Sequence, residues 1–299
     1  MDADALTILD AVVGALDGEK RDGQRELTTA VAEAIANGRH LVAEAPTGSG
    51  KSFAYLAAAI ASGQRVVVAT STIALQSQLV DRDLPALQQH GGADFTYAIL
   101  KGRANYVCRA KLDTAAKPDA LFEVPVTAAF PRQLEKLNAF VRSSNTGDRA
   151  EITDAINDAS WAAVSCSGAE CPGRTNCTEG DSCFAELARE NARDKSILVV
   201  NHALYCTHLA AGGTVLPEHD VVIVDEAHAF ATSATNMFGV DLGAGALARL
   251  VPLLRRASVD EPVVEGFATA AKALEAAIDD TDGRIDLGAN ERLSTALLA

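Results

Sequence analysis

Positive charge is scarce in this chain relative to negative. Its 299 residues carry 26 Lys and Arg against 40 Asp and Glu, a formal net charge of −14. A field of that sign repels phosphate, which excludes a protein that holds nucleic acid by bulk positive charge but leaves room for a local basic groove. Aromatic residues make up only 5%, with a single Trp, so base-stacking platforms are limited to a few identifiable side chains. No apolar run approaches the ~20 residues needed to span a bilayer. The start, Met1-Asp2-Ala3-Asp4, lacks the basic region of a signal peptide. No membrane partner is expected, and the expected location is cytoplasmic and reducing. Repeats and low-complexity tracts are also absent. Hydrophobic residues, at 48%, rule out intrinsic disorder and supply core for about two domains at ~150 residues each.

The apolar pattern alternates between two periods. Leu6, Leu9, Val12, Val13 and Leu16 share one helical face, with Gly18 behind them as a C-cap, and Leu27 to Ile35 is helical again. A strand is expected at His40–Ala45, a helix at Phe53–Ala61, and a buried β-branched strand at Arg65–Thr70. A helix over about 72–80 follows, then strands at Ser196–Asn201 and Val221–Asp225. Strands alternating with helices give the fold class: α/β, a parallel sheet with helices on both faces. Residues 106–190 break the rhythm, with helices at Gln133–Arg142 and Glu151–Trp161, the second opened by Asp148 and Glu151 in a capping-box variant. This stretch reads as a helical insertion. Beyond about residue 236 the chain is Ala/Leu-rich and helical.

Ala45-Pro46-Thr47-Gly48-Ser49-Gly50-Lys51-Ser52 stands between an expected strand and an expected helix, the context a P-loop requires. The glycines let backbone N–H groups turn toward phosphates, and the helix N-terminus adds partial positive charge. Lys51 is placed to reach the β- and γ-phosphates of ATP, and the Ser52 hydroxyl to ligate Mg²⁺. Downstream, Val221-Val222-Ile223-Val224-Asp225-Glu226-Ala227-His228 puts acids at the carboxyl end of a strand, where ligands collect in open α/β sheets. Asp225 is expected to hold Mg²⁺ through its water shell. Glu226 is expected to orient or deprotonate the attacking water, with His228 completing the catalytic set.

Six cysteines are present, four of them within eighteen residues (Cys166, Cys171, Cys177, Cys183). Cys108, Cys171, Cys177 and Cys183 give four thiolates. Gaps of five residues are wider than structural zinc prefers, and they suit a [4Fe–4S] cluster, so both metals stay open on spacing alone. Cys166 is a substitute ligand, and Cys206 reads as a small core residue. Next to Cys108, the residues Lys101, Arg103, Arg109 and Lys111 form an acid-free basic stretch around Tyr106, either a DNA-facing segment or a solvated helix with Tyr106 in the core. Trp161 reads as core of the insertion.

Taken together, the P-loop, the Asp-Glu-Ala-His box, Gly23-Gln24-Arg25, Thr70-Ser71-Thr72-Ile73-Ala74-Leu75-Gln76, Leu100 to Cys108 and Val199-Val200-Asn201-His202-Ala203-Leu204 resemble the DinG branch of the XPD-like iron–sulfur superfamily 2 DNA helicases, over residues 20–235. The resemblance implies a RecA-like motor domain (1–105 and 191–235), a [4Fe–4S] insertion (106–190) and the start of a helical arch (236–299). It implies that Gln24 contacts adenine and that residues 46–52 cradle ATP. It also implies that Cys108, Cys171, Cys177 and Cys183 hold the cluster, and that Thr70, Lys101, Arg103 and Tyr106 face DNA. The implied activity is ATP-dependent 5′→3′ unwinding of DNA with a single-stranded tail, by a monomer. A second motor domain with its arginine finger has no counterpart here, so the chain alone is expected to be weak or inactive; losing such a finger costs on the order of 10³–10⁵ in rate. Two other readings are a metal-stapled, ATP-binding DNA module without motor activity and a zinc-bearing ATPase acting on RNA or protein.

Overall fold

The computed structural model describes residues 4–46, 48–116, 128–239, 247–279 and 295. The chain separates into two compact units, Met1–Phe238 and Gly239–Ala299. The first opens with α1 (Ala5–Ala15) and α2 (Asp22–Ala36). In α1 the buried stripe is Ala5, Ile8, Leu9, Val12 and Val13, whereas Leu16 lies past the helix end and is exposed. The left-handed residue that closes α1 is Asp17 (φ 54°), and Gly18 donates its N–H back to Val13 O at 2.9 Å. The helix α3 (Lys51–Ala61) starts directly on Gly50. Its Leu56 is fully buried, a contribution of about 1.5–3 kcal/mol for a side chain of that size.

Next come β1 (Val66–Thr70), α4 (Ile73–Gln78), α5 (Leu84–His90) and β2 (Tyr97–Ile99). Thr72 caps α4 by accepting the Leu75 N–H at 3.2 Å. After the insertion, β3 (Ile197–Asn201) runs into α10 (His202–Ala210), and β4 (Val221–Val224) leads to α11 (Phe230–Phe238). All strand pairs are parallel, in the order β2-β3-β1-β4. Strand alternation divides the core: Val66, Val68, Ile197 and Val199 pack with α1, α3 and α5 on one face. Val67, Ala69, Leu198 and Val200 pack with Leu204 and Tyr205 on the other. Helices therefore cover both faces, as expected. Strand β2 was missed because only three residues pair, two of them half-buried.

The expected strand at 40–45 is corrected. The segment pairs with no strand; Leu41 is 43% and Val42 98% exposed, and β4 is left as a half-exposed edge. An apolar run becomes a strand only where a neighbour completes its ladder.

The insertion contributes α6 (Arg109–Ala115), α7 (Phe130–Ser143), α8 (Asp158–Val164) and α9 (Phe184–Ala192). Its core joins Tyr106, Val107, Leu112, Leu137, Trp161 and Phe184 with their neighbours. Trp161 is buried there, its Nε1 donating to Ala104 O at 2.8 Å. The helix expected over 151–161 is also corrected. Asp148 caps only a single turn, Arg149–Glu151, by accepting the Ala150 N–H, and the helix proper starts at Asn157, whose side chain accepts the Ser160 N–H at 2.8 Å. The second unit shows α12 (Val251–Arg256) and α13 (Glu261–Asp279), tied by Arg255 and Glu261 at 2.7 Å. No described helix is long and apolar enough to cross a membrane.

Candidate nucleotide site and cysteine cavity

Two glycines shape the loop before α3. Gly48 and Gly50 have φ of 77° and 79°, a region that strains any residue with a Cβ. A Cβ on Gly50 would also fall 2.4 Å from Gln24 Nε2. The loop carbonyls are held from α2: Arg21 Nη1 donates to Gly48 O at 2.6 Å and Gln24 Nε2 to Gly50 O at 2.9 Å. Arg21 and Gln24, three residues apart, thus brace the loop from one helical end, a role for Arg21 that sequence reasoning missed. Gln24 is buried, with its amide nitrogen engaged by the loop. The Ser49 hydroxyl is buried and has no hydrogen-bond partner. Pro46 and Ser52 flank this turn; Thr47 lies outside the described residues.

Asp225 and Glu226 meet this loop although 175 residues separate Glu226 from Lys51. Strand β4 lies against β1, and the Asp225 N–H donates to Ala69 O at 2.9 Å, so the acids emerge at the sheet's carboxyl edge beside α3. The Lys51 ammonium pairs with Glu226 and lies 3.4 Å from Asp225 Oδ1. Burial pulls the Lys51 ammonium down, yet the two carboxylates outweigh it and the net shift is upward. The Lys51 bond holds Glu226 below the usual carboxyl range. Glu226 itself adopts a left-handed conformation at φ 54°, an uncommon state for a residue with a side chain. His228 is largely exposed, with Nδ1 3.4 Å from Glu226 Oε2. Tyr55 and His202 also touch Asp225; Tyr55 looks like an ordinary core residue in the sequence, whereas His202 belongs to the Val199–Leu204 motif without its contact to Asp225 being legible there.

The cysteines converge separately. Cys108, Cys166, Cys171, Cys177 and Cys183 all line one cavity of about 170 Å³. Cys108 and Cys183 are the N-cap residues of α6 and α9. Burial pushes the Cys108 thiol up and the Cys166 thiol to about 12. Cys206 is fully buried elsewhere, in α10. Among the described residues no group of three His, Cys, Asp or Glu side chains could hold a single metal ion.

A DEAD/DEAH box helicase family profile matches residues 25–147. Over 297 residues the chain is 38% identical to the ATP-dependent helicase DinG of Mycobacterium tuberculosis (strain H37Rv), covering 93% of this chain and 45% of that protein. The chain is thus similar to DinG-type helicases over nearly its whole length. It is also 34% identical to the ATP-dependent DNA helicase YoaA of Escherichia coli over 227 residues (74% and 35% of the two chains). With the 3′-5′ exonuclease DinG of Bacillus subtilis it shares 31% over 237 residues (74% and 24%). The chain spans less than half the length of these relatives.

The residues expected to face DNA lie within the fold as follows. Lys101 is buried and ion-paired with buried Asp148. Arg103 pairs with Glu186. Tyr106 is 4% exposed, its hydroxyl accepting the Lys101 N–H at 3.2 Å, and burial pushes it up to about 12. Thr70 is fully buried and donates to Thr72 O at 3.2 Å. Arg109 lies over the Phe184 ring at 4.1 Å, and Lys111 reaches Glu170 at 3.4 Å. The stretch is acid-free only along the sequence; the fold brings Asp148, Glu170 and Glu186 to it.

The ion pair at the loop has a defined pH window. Glu226, depressed below 4.5, stabilises above that value and loses its contribution as pH falls through the folded one. Lys51, raised above 10.5, stabilises below that value and loses its contribution as pH rises past the folded one. Without nucleotide, Glu226→Gln should lower the melting midpoint by a constant amount between these limits, and the deficit should shrink on acidification below 4.5. Thermal melts across pH check this; a deficit that grows with acid contradicts the pairing.

Proposed function

We propose that the chain is the nucleotide-binding part of a monomeric, cytoplasmic, ATP-dependent DNA helicase that acts 5′→3′ on DNA with a single-stranded tail. The observation that carries the reading is the meeting of Lys51 with Asp225 and Glu226 at a loop whose Ser49 hydroxyl is buried without a partner. A lysine held between two carboxylates can exchange them for phosphate oxygens, and a loop with left-handed glycines offers its N–H groups to the same anion. Ser52 and Asp225 are the residues to hold Mg²⁺, which when bound neutralises charge on the β- and γ-phosphates. As Lys51 turns to the phosphates, Glu226 is released to accept the proton of the attacking water. His228, beside Glu226, is placed to sense that change. The names of the relatives support DNA as the partner.

In the same reading, residues 106–190 carry a [4Fe–4S] cluster on Cys108, Cys171, Cys177 and Cys183, and residues 236–299 begin a helical arch. Zinc bound by four thiolates at 2.3 Å needs sulfurs only about 3.8 Å apart. A cavity of about 170 Å³ lined by five cysteines has the thiol donors for a larger inorganic core, whose protein sulfurs need not crowd so closely. Cys166 is the spare thiol.

In the full-length protein, Glu226→Gln should retain Mg·ATP binding and lower hydrolysis by on the order of 10²–10⁴. Unwinding of a tailed duplex should be lost with it; hydrolysis at the unaltered rate contradicts the assignment. Anaerobically purified chain should contain about four iron and four sulfide, and Cys171→Ser should lose most of both. One zinc without sulfide overturns the cluster.

A further inference from the structure

Each oxygen of the Asp225 carboxylate has its own partner. Oδ1 accepts the Glu226 N–H at 3.0 Å and lies 3.4 Å from Lys51 Nζ. Oδ2 accepts the Tyr55 hydroxyl at 3.3 Å. Tyr55 lies one turn beyond Lys51 on α3, so a single helix delivers both the ammonium and the phenol to one carboxylate. It is 5% exposed, and burial together with the Asp225 charge pushes its hydroxyl far up, which leaves it a donor.

The Asp225 peptide is fixed independently of that side chain. Its N–H donates to Ala69 O at 2.9 Å. Its carbonyl accepts Nε2–H of His202 at 2.9 Å, and the His202 ring is buried and stands edge-on to Phe230 at 5.3 Å. With the backbone held on both sides, the freedom left to Asp225 is rotation of its carboxylate.

We infer that Tyr55 is a positioning residue for the metal-binding acid of the site: its hydroxyl sets the rotation of the Asp225 carboxylate, so that Oδ1 is presented beside Lys51. The inference rests on the nucleotide-site reading of Asp225. A tyrosine that only filled the core would need its ring and not its oxygen, because the ring packs among Leu56, Val68 and their neighbours. Removing the oxygen alone separates the two roles.

The test is binding of mant-AMPPNP to the 299-residue chain as Mg²⁺ is titrated. Tyr55→Phe should bind the nucleotide in EDTA as the unaltered chain does, but need roughly tenfold more Mg²⁺ for half of the Mg²⁺-dependent gain. Tyr55→Met, which also lacks a donor, should give the same shift. In an Asp225→Asn background Tyr55→Phe should add nothing, because the phenol acts through that carboxylate. An unaltered Mg²⁺ requirement in both Tyr55 variants overturns the inference, and so does a full shift in the Asp225→Asn background. If the unaltered chain shows no Mg²⁺-dependent binding at all, the nucleotide-site reading falls and this inference falls with it.

Discussion

The ammonium of Lys51 sits between two carboxylates that it can reach only because of a strand that carries none of the three. Strand β1 is buried along its whole length and hydrogen-bonded on one side to β3 and on the other to β4. Its register with β4 pairs Ala69 with Val224, which sets Asp225 at the end of the sheet. Its inner face, Val66 and Val68, packs in the cluster that also holds Leu56 and Tyr55 of α3. Half-buried charges are costly unless paired, so the loop lysine and the two acids stabilise one another in the absence of phosphate. The same pairing is what a nucleotide must replace. Affinity for an anion is therefore a difference between two sets of contacts, one of them already made.

The insertion follows a parallel logic with a different element. Its cysteines do not lie on one helix or in one loop; they begin helices, as Cys108 and Cys183 do, or lie in the turns between them. What gathers them is the apolar cluster that fixes α6 and α9 from below, with Tyr106, Trp161 and Phe184 at its centre. Gly147 shows how close that packing is, since a Cβ there would fall 2.2 Å from the Phe184 ring. The buried Lys101–Asp148 pair and the Arg103–Glu186 pair tie the approach to Cys108 into the same body. Charges that looked free along the chain are spent on holding the insertion to its own segments.

The sequence made some of this legible and hid the rest for identifiable reasons. Continuous β-branched runs marked β1, β3 and β4; β1 and β3 are buried and have no polar alternation to obscure them, and β4 keeps the same composition at a half-exposed edge. The glycines and Lys51 of the loop, and the acids after β4, were readable because phosphate chemistry dictates residue type at fixed spacing. The segment at 40–45 had the right composition, but pairing is a tertiary property and composition does not fix it. The basic stretch is acid-free only along the chain for a related reason: Asp148, Glu170 and Glu186 are 38 or more residues beyond Ala110 in the sequence and adjacent in space. Tyr55 was invisible as a site residue, and His202 was visible only as part of a motif, because a buried aromatic ring looks the same whether or not its polar atom has a task.

In the proposed function the loop at residues 46–52 and the acids at 225–226 form a single nucleotide site. Isothermal titration of the 299-residue chain with Mg·AMPPNP tests it most directly. The account predicts saturable binding of one equivalent that disappears in Lys51→Ala. Binding that persists undiminished in Lys51→Ala, or the absence of binding by the unaltered chain, contradicts it.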